Sequence, residues 1–452
     1  MGKYLKLFDT HTEYLAFTQT SDFIKPNVSH CITENHVHYN PWSWADDYLT
    51  FVAKGSGTFT FTPKNSNVIS YSTDGGETWT QGNSVAVNSG GKVMWKGTMT
   101  PSTSYPQGIG TFSATVGFDV QGNAMSLLYG DNYKGQTSLT EKNCAFYNLF
   151  NGNTKVVNTK NLSLPAMTLT NFCYLSMFDG CTSLTTAPQL PAMILADKCY
   201  LNMFKGCTNL TTAPQLPATT LAESCYSYMF QGCSSLITAP ELPATTLAEN
   251  CYNYMFSSCT NLTTAPELPA TTLVSNCYNY MFNACTSLTK APELPATTLA
   301  NYCYGNMFRG CTSLTTAPAL PVTTLTNRCY EQMFYGCTNL VNAPELPATT
   351  LAESCYQSMF DGCTSLTTAP ELPATTLVER SYRYMFEGCT SLNYIKAMFT
   401  TTPSGSKPNY YTQNWVSGVA SSGTFVKNSA ASWNLGGIHG IPSGWTVQKA
   451  TV

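Results

Sequence analysis

Charge is scarce in this chain. Twenty-two Lys plus Arg against 25 Asp plus Glu leave a net charge of −3, and only 10% of residues are charged, where about 25% is usual. A phosphate backbone is held by clustered cations, so this composition excludes the nucleic-acid-binding class. Histidine is also rare: there are 5, and none lies between 150 and 396. That leaves no Cys–His or Ser–His pairing there for nucleophilic catalysis. No phosphate-binding loop or dinucleotide fingerprint is present, and paired carboxylates for glycan hydrolysis cannot be placed. No apolar run approaches about 18 residues, so membrane insertion is not expected. The opening Met1-Gly2-Lys3-Tyr4-Leu5-Lys6 lacks an apolar signal core, and Lys6 stands where myristoylation needs Ser or Thr. An export signal is therefore not expected. Aromatic residues at 12% argue against disorder.

Cysteine, by contrast, is abundant and ordered. One row runs Cys173, Cys199, Cys225, Cys251, Cys277, Cys303, Cys329 and Cys355, with Ser381 in the next place. A second runs from Cys181 and Cys207 at the same interval to Cys389, leaving only Cys31 and Cys144 outside. The consensus is L-P-A-T-T-L-A-x-x-C-Y-x-x-M-F-x-G-C-T-S-L-T-T-A-P-E. Self-similarity at a fixed period of this length is the signature of a solenoid, whose units bury their apolar faces only by stacking.

Within one copy, Leu221, Cys225, Tyr226, Met229, Phe230 and Cys233 follow the spacing of one helix face. Thr220 with Glu223 forms a capping box, repeated at Thr246–Glu249, Thr350–Glu353 and Thr376–Glu379, and Gly232 supplies the stop. Ser234 to Pro240 then predicts a short strand ended by proline. Each coil should contribute one short helix and one short parallel strand, stacked at about 4.8 Å.

The strings Met177-Phe178-Asp179-Gly180-Cys181-Thr182-Ser183-Leu184 and Met359-Phe360-Asp361-Gly362-Cys363-Thr364-Ser365-Leu366, with the recurring Leu-Pro, resemble the BspA-like class of leucine-rich repeat. The resemblance covers about 150–396 and departs from the class by placing Met where Ala is usual and by adding the Cys-Tyr pair. It implies an extended solenoid used for adhesion or ligand display, and not an enzyme. The opening segment, with Pro26, Val28, His38, Tyr39 and Pro41, resembles N-terminal segments of virion proteins from phages of gut Bacteroides.

The fold class expected is an α/β solenoid of 26-residue repeats, preceded by a small all-β sandwich-like domain and closed by a β-rich C-terminal cap. The divisions are 1–45, an N-terminal attachment segment; 46–130, the sandwich; 131–396, the solenoid with a degenerate first coil; and 397–452, the cap. In the sandwich, Ser72-Thr73-Asp74-Gly75-Gly76-Glu77-Thr78-Trp79 resembles the Asp-box of sialidases and other β-proteins. A single copy is taken as a hairpin brace. His30, Cys31, His36 and His38 match no standard zinc spacing, so no metal and no cofactor are expected.

Stacking turns each repeated position into a row. The Cys rows fit buried free thiols, since i and i+8 on one helix are about 12 Å apart, beyond disulfide reach; bridges between coils remain open. Gln189, Gln215, Glu241, Glu267, Glu293, Ala319, Glu345 and Glu371 form a row that either splays into solvent or binds a cation. Paired threonines fit strand formation, and the Tyr and Met-Phe rows fit core. The two positions before the first Cys, the second and third after it, and the one after Phe vary. They carry Lys198, Tyr228, Tyr254, Tyr280, Arg309, Arg328, Tyr335, Arg380, Arg383 and Tyr384. Either drift or recognition produces that pattern, and the binding surface proposed from it is Tyr254, Tyr280, Arg309 and Tyr335.

The expected function is a non-enzymatic phage virion protein, a fibre or decoration that displays the solenoid to the bacterial surface. Its partners would be phage capsid or tail proteins through the N-terminal segment, bacterial surface glycan or protein, and copies of itself. The alternative is a bacterial cell-surface adhesin of the same repeat class.

Overall fold

A computed structural model describes residues 30–33, 36–39, 46–101 and 107–450. Strands β1 (His30–Thr33) and β2 (His36–Tyr39) pair antiparallel. The question of metal ligation by the side chains of His30, Cys31, His36 and His38 lies outside the described residues.

From 46 to 123 the strands alternate inward apolar and outward polar residues, as a two-sheet packing requires. They are β3 (Leu49–Ala53), β4 (Gly57–Pro63), β5 (Ile69–Ser72), β6 (Thr80–Gln81), β7 (Ser84–Val87), β8 (Lys92–Gly97), β9 (Gly110–Ala114) and β10 (Phe118–Asn123). In β4, Phe59 and Phe61 are buried while Thr58, Thr60 and Thr62 face outward. One sheet has the order β7-β4-β9. The other runs β10-β3-β8-β5-β6 and continues past β10 into β11 (Val156–Asn158) and β12 (Leu162–Ser163). Phe51, Phe59, Trp95, Phe112 and Phe118 fill the space between the sheets. A single turn of α-helix, α1 (Ser126–Tyr129), follows.

The join to the repeats is made in the hydrogen-bond ladder itself. β10 pairs antiparallel with β3 but parallel with β11 and β12. Parallel bridges then climb from coil to coil: Asn158–Thr186, Thr186–Thr212, Thr212–Thr238, and on to Thr368–Tyr394. Tyr394 opens β13 (Tyr394–Ala397), which pairs parallel with β14 (Thr424–Lys427), and that with β15 (Thr446–Lys449). One ladder therefore runs from the antiparallel sheet through the whole array.

The repeats stack at the predicted period, but they are not α/β. Among the described residues the only α-helical segment is α1, outside the array. The segment predicted to be helical is a run of turns. Amides of Cys225, Ser227, Met229 and Gln231 donate to carbonyls three residues back, at 3.1–3.3 Å, whereas Tyr226, Tyr228, Phe230 and Gly232 donate to Cys251, Asn253, Met255 and Ser257 of the next coil, at 2.8–3.0 Å. Every fourth residue is left-handed: Ser224 at φ 52°, Tyr228 at 57° and Gly232 at 74°. The physical reason is thickness. Equivalent rings of successive coils lie 5.7 Å apart at Phe230–Phe256 and 5.9 Å at Tyr226–Tyr252, and an α-helix about 10–12 Å across cannot stack at that rise.

The Thr220–Glu223 capping box also fails to form. The Glu223 amide donates to Asp197 Oδ1 of the preceding coil at 3.2 Å, and Thr220 bridges Thr246. The predicted strand shrinks to a single bridging residue per coil, such as Thr238.

Candidate binding surface

In one coil Cys225, Tyr226, Met229, Phe230 and Cys233 are buried, and so is Ser227, while Tyr228, Gln231 and Gly232 are half-buried and line up with their equivalents as outward columns along the stack. The inward rows are self-stacked: tyrosines from Tyr174 to Tyr382 at 5.5–6.1 Å and phenylalanines from Phe150 to Phe386 at 5.3–5.8 Å, all near parallel. Cysteines from Cys144 to Cys389 are buried free thiols. In the second row each Sγ donates to a phenylalanine carbonyl of the preceding coil, as Cys207 does to Phe178 at 3.1 Å. Burial pushes Cys199 and Cys285 up to about 12, so these thiols are poor nucleophiles.

Of the four residues chosen from the sequence, Tyr254 and Tyr280 occupy the third place after the first-row Cys, and Arg309 and Tyr335 the place after Phe. The structure joins them as two pairs. Tyr254 and Tyr280 stack face to face at 4.3 Å, and Tyr228 extends the stack at 4.7 Å from Tyr254. Arg309 lies 4.1 Å above the Tyr335 ring and donates from Nη1 to Gln332 Oε1. Lys205, in the Arg309 column, stands 5.6 Å from the Tyr228 ring.

All four residues are half-buried, and the middle tyrosine, Tyr254, has both ring faces covered by Tyr228 and Tyr280. Burial, then the neighbouring Tyr280 and Tyr228, push the Tyr254 phenol well above its usual range. Tyr228 and Lys205 were legible only as members of varying columns; their part in the stack depends on which coils adjoin.

The same wall carries ion pairs. Lys198 meets Glu223 at 2.9 Å, and Arg328 and Arg380 both approach Glu353 at 3.8 Å. Glu331, 7% exposed, receives Gln357 Nε2 at 2.9 Å and has its carboxyl raised by burial, with Arg328 opposing. Further along, burial and then Glu387 raise Asp361 to about 7.

Elsewhere, the row Gln189 to Glu371 is exposed, with Glu371 paired to Lys396 at 2.9 Å. Asp74 of the Asp-box accepts from the Ser72 hydroxyl at 2.6 Å and from the Thr78 amide at 3.0 Å, while Trp79 Nε1 donates to the Gly76 carbonyl at 3.1 Å. The hydroxyls of Ser72 and Thr78 hold the Asp74 carboxyl well below its usual range. These bonds close the β5–β6 hairpin on itself and leave Asp74 engaged in the turn. Among the described residues, no three metal-ligating side chains come together.

The family description "BspA type Leucine rich repeat region" matches residues 174–315 and 297–414, in 6 copies. The chain belongs to that family. Among solved structures, a chain in the crystal structure of the TLR13–ssRNA13 complex is similar at 14% identity, over 66% of this chain and 42% of that one, with a TM-score of 0.27. This chain thus spans less than half of that neighbour's length, and so low a score carries no argument. No curated protein matches. The family and the stacked repeats define a repeat protein of the binding or adhesion kind.

Proposed function

We propose that this chain is a non-enzymatic, virion-associated adhesion protein of a phage, whose solenoid displays a binding wall to a glycan or protein of the bacterial surface. One observation carries the binding role. Every inward row repeats almost without change, while the outward columns of one wall vary and carry two groups, the stacked Tyr228, Tyr254 and Tyr280 and the pair Arg309 and Tyr335. A stacked scaffold tolerates such variation because the outward places are not needed for the core, and Tyr and Arg are rich contact residues. The two sheets at 46–130 serve as a sandwich carrying the array, and 397–452 as its cap. Attachment through the first 45 residues rests on their resemblance to phage virion segments.

The test replaces Tyr254, Tyr280, Arg309 and Tyr335 together by Ser. Adsorption of the purified chain to bacterial cells should fall at least tenfold while the unfolding transition stays cooperative. Undiminished adsorption by a folded variant would discard this wall. Stoichiometric presence in purified virions supports the virion role; consistent absence, with the chain on the bacterial surface, would assign it as a cell-surface adhesin.

A further inference from the structure

The cations on this wall divide into two kinds. Lys198, Arg328 and Arg380 each have a carboxylate within 4 Å. Lys205, Arg309 and Arg383 have none among the described residues, and each stands instead against a tyrosine ring, at 5.6 Å from Tyr228, 4.1 Å from Tyr335 and 4.6 Å from Tyr384. Arg383 also donates to the Tyr384 hydroxyl and lies beyond Asp361, away from the stacked tyrosines. A ring holds a cation without neutralising its charge. Among the described residues Arg309 donates to the neutral Gln332, and the five-donor guanidinium fork has further donors for a ligand.

Lys205 and Arg309 bracket the tyrosine stack without a direct ion pair, each attracted only at longer range by an acid outside the stretch, Asp179 for Lys205 and Asp361 for Arg309. Between them the same two columns hold Gln231 and Asn283 beside the three stacked tyrosines, with Ser257 buried and accepting from Asn283 Nδ2 at 3.0 Å, and no carboxylate. Acids return only beyond the ends, at Asp179 one coil before Lys205 and at Asp361 two coils after Arg309. Four coils separate the cations, about 20 Å along the axis at ordinary strand spacing. The stacked rings spend their faces on one another, at 4.3 and 4.7 Å, so the stretch between the charges offers phenol edges, hydroxyls and amides.

We propose that this stretch takes a linear acidic oligosaccharide, lying along the solenoid axis, with carboxylate groups of its sugars at Lys205 and Arg309 and its hydroxyls along the tyrosine edges. The proposal rests on the binding role proposed above and names its ligand class. Neutral glycans would leave both cations unpaired, and a cationic ligand would be repelled. A guanidinium matches a carboxylate in two parallel hydrogen bonds, and an ammonium provides a point charge. The hydroxyl-rich span suits sugar better than a protein surface, whose apolar anchors would need open ring faces.

The experiment uses the full chain and immobilised oligosaccharides in matched pairs, uronic-acid polymers of defined length against their neutral, reduced counterparts. The acidic member should bind at least tenfold more tightly, and binding should weaken as salt rises from 50 to 500 mM, in the sense set by about two charge contacts. Lys205→Gln and Arg309→Gln should each cost about tenfold on the acidic glycan. Lys198→Gln, whose partner is Glu223, should cost little and controls for general charge. Tyr254→Phe keeps the stack and should cost a few-fold. Equal binding of the neutral glycans, or acidic binding untouched by both Gln variants, would overturn the proposal. If the chain adsorbs to bacterial cells in a protease-sensitive way and holds no glycan, the acidic-glycan inference falls while the binding role stands. If it adsorbs to no cells and holds no glycan, both fall.

Discussion

The two-sheet region and the repeat array build their cores from the same aromatic residues with opposite geometry. Between the sheets, Phe51 meets Phe59 at 86° and Phe112 at 75°, and Trp95 meets Phe112 at 62°. In the array, Phe204–Phe230 and Tyr252–Tyr278 lie within 5° of parallel. Edge-to-face packing is open to rings whose neighbours differ. A repeated residue has its own copy as neighbour, in the same rotamer and one coil away, so translation forces the parallel stack. The array gains a linear scaffold whose outward columns can vary; the sheet region gains a hub in which one ring touches many others.

Yet the two regions share a ladder, and the largest effects test whether they share a transition. The 7 tryptophans lie at the ends, Trp42, Trp44, Trp79 and Trp95 before the array and Trp415, Trp433 and Trp445 after it, and every cysteine but Cys31 lies between 144 and 389. In a chain carrying Cys31→Ser, fluorescence therefore reports the ends and thiol reactivity the array. Phe51→Ala and Phe256→Ala should each cost about 3–5 kcal/mol in urea titration. If the continuous ladder couples the regions, each substitution lowers the fluorescence and thiol midpoints together. A Phe51→Ala chain that loses only the fluorescence transition would show two independent units.

A smaller effect is expected at Asp361, which has no counterpart between the sheets. Burial first, then Glu387, raises its carboxyl to about 7, with Arg309 opposing. The folded chain therefore holds a proton that the unfolded chain releases near pH 4. The associated stability is complete at low pH and is lost as pH rises through about 7. Asp361→Asn should stabilise the chain by about 1 kcal/mol at pH 8, after discounting for the half-exposed carboxyl, and by nearly nothing at pH 4. Denaturation midpoints at the two pH values check the sign; stabilisation equal at both would exclude this cause.

The smallest effect tests the left-handed turns that set the array apart. Ala284 at φ 57° occupies the place held by Gly232 and Gly310 in other coils, at 74° and 71°. Ala284→Gly should stabilise by about 0.5–1 kcal/mol, the relief of left-handed strain outweighing the entropy of glycine. A destabilisation in thermal melts would mean that the Ala284 methyl group contributes more than its strain costs.

Much of the array was legible. The period and the burial of the Cys, Tyr, Met and Phe rows follow from one copy and the fact of stacking, whereas one copy left the Gln/Glu row open between solvent and a cation. The helix did not, although a sign of the error stood in the sequence. Leu221, Cys225, Tyr226, Met229, Phe230 and Cys233 repeat at four, and a strict period of four drifts by about 40° per step on an α-helix. Over three steps the apolar face would have wandered by about 120°, a third of the way round. The spacing assumed for the strands also left no room for helices at the same rise. In the binding wall, the varying columns were visible, but Tyr228 and Lys205 gain their meaning from coils above and below.

Sequence by itself determined the 26-residue unit, its inward and outward places, and the columns free to vary, because each of these is a property of one repeat placed against its copy. The tertiary structure alone decided that the turn run replaces a helix, that the ladder passes unbroken from the antiparallel sheet into the array, and that the tyrosines spend their faces on one another. All three depend on the rise between coils. That rise is fixed by amides bonding to carbonyls about 25 residues away, as Tyr226 does to Cys251, and a bond of that range appears in no local pattern.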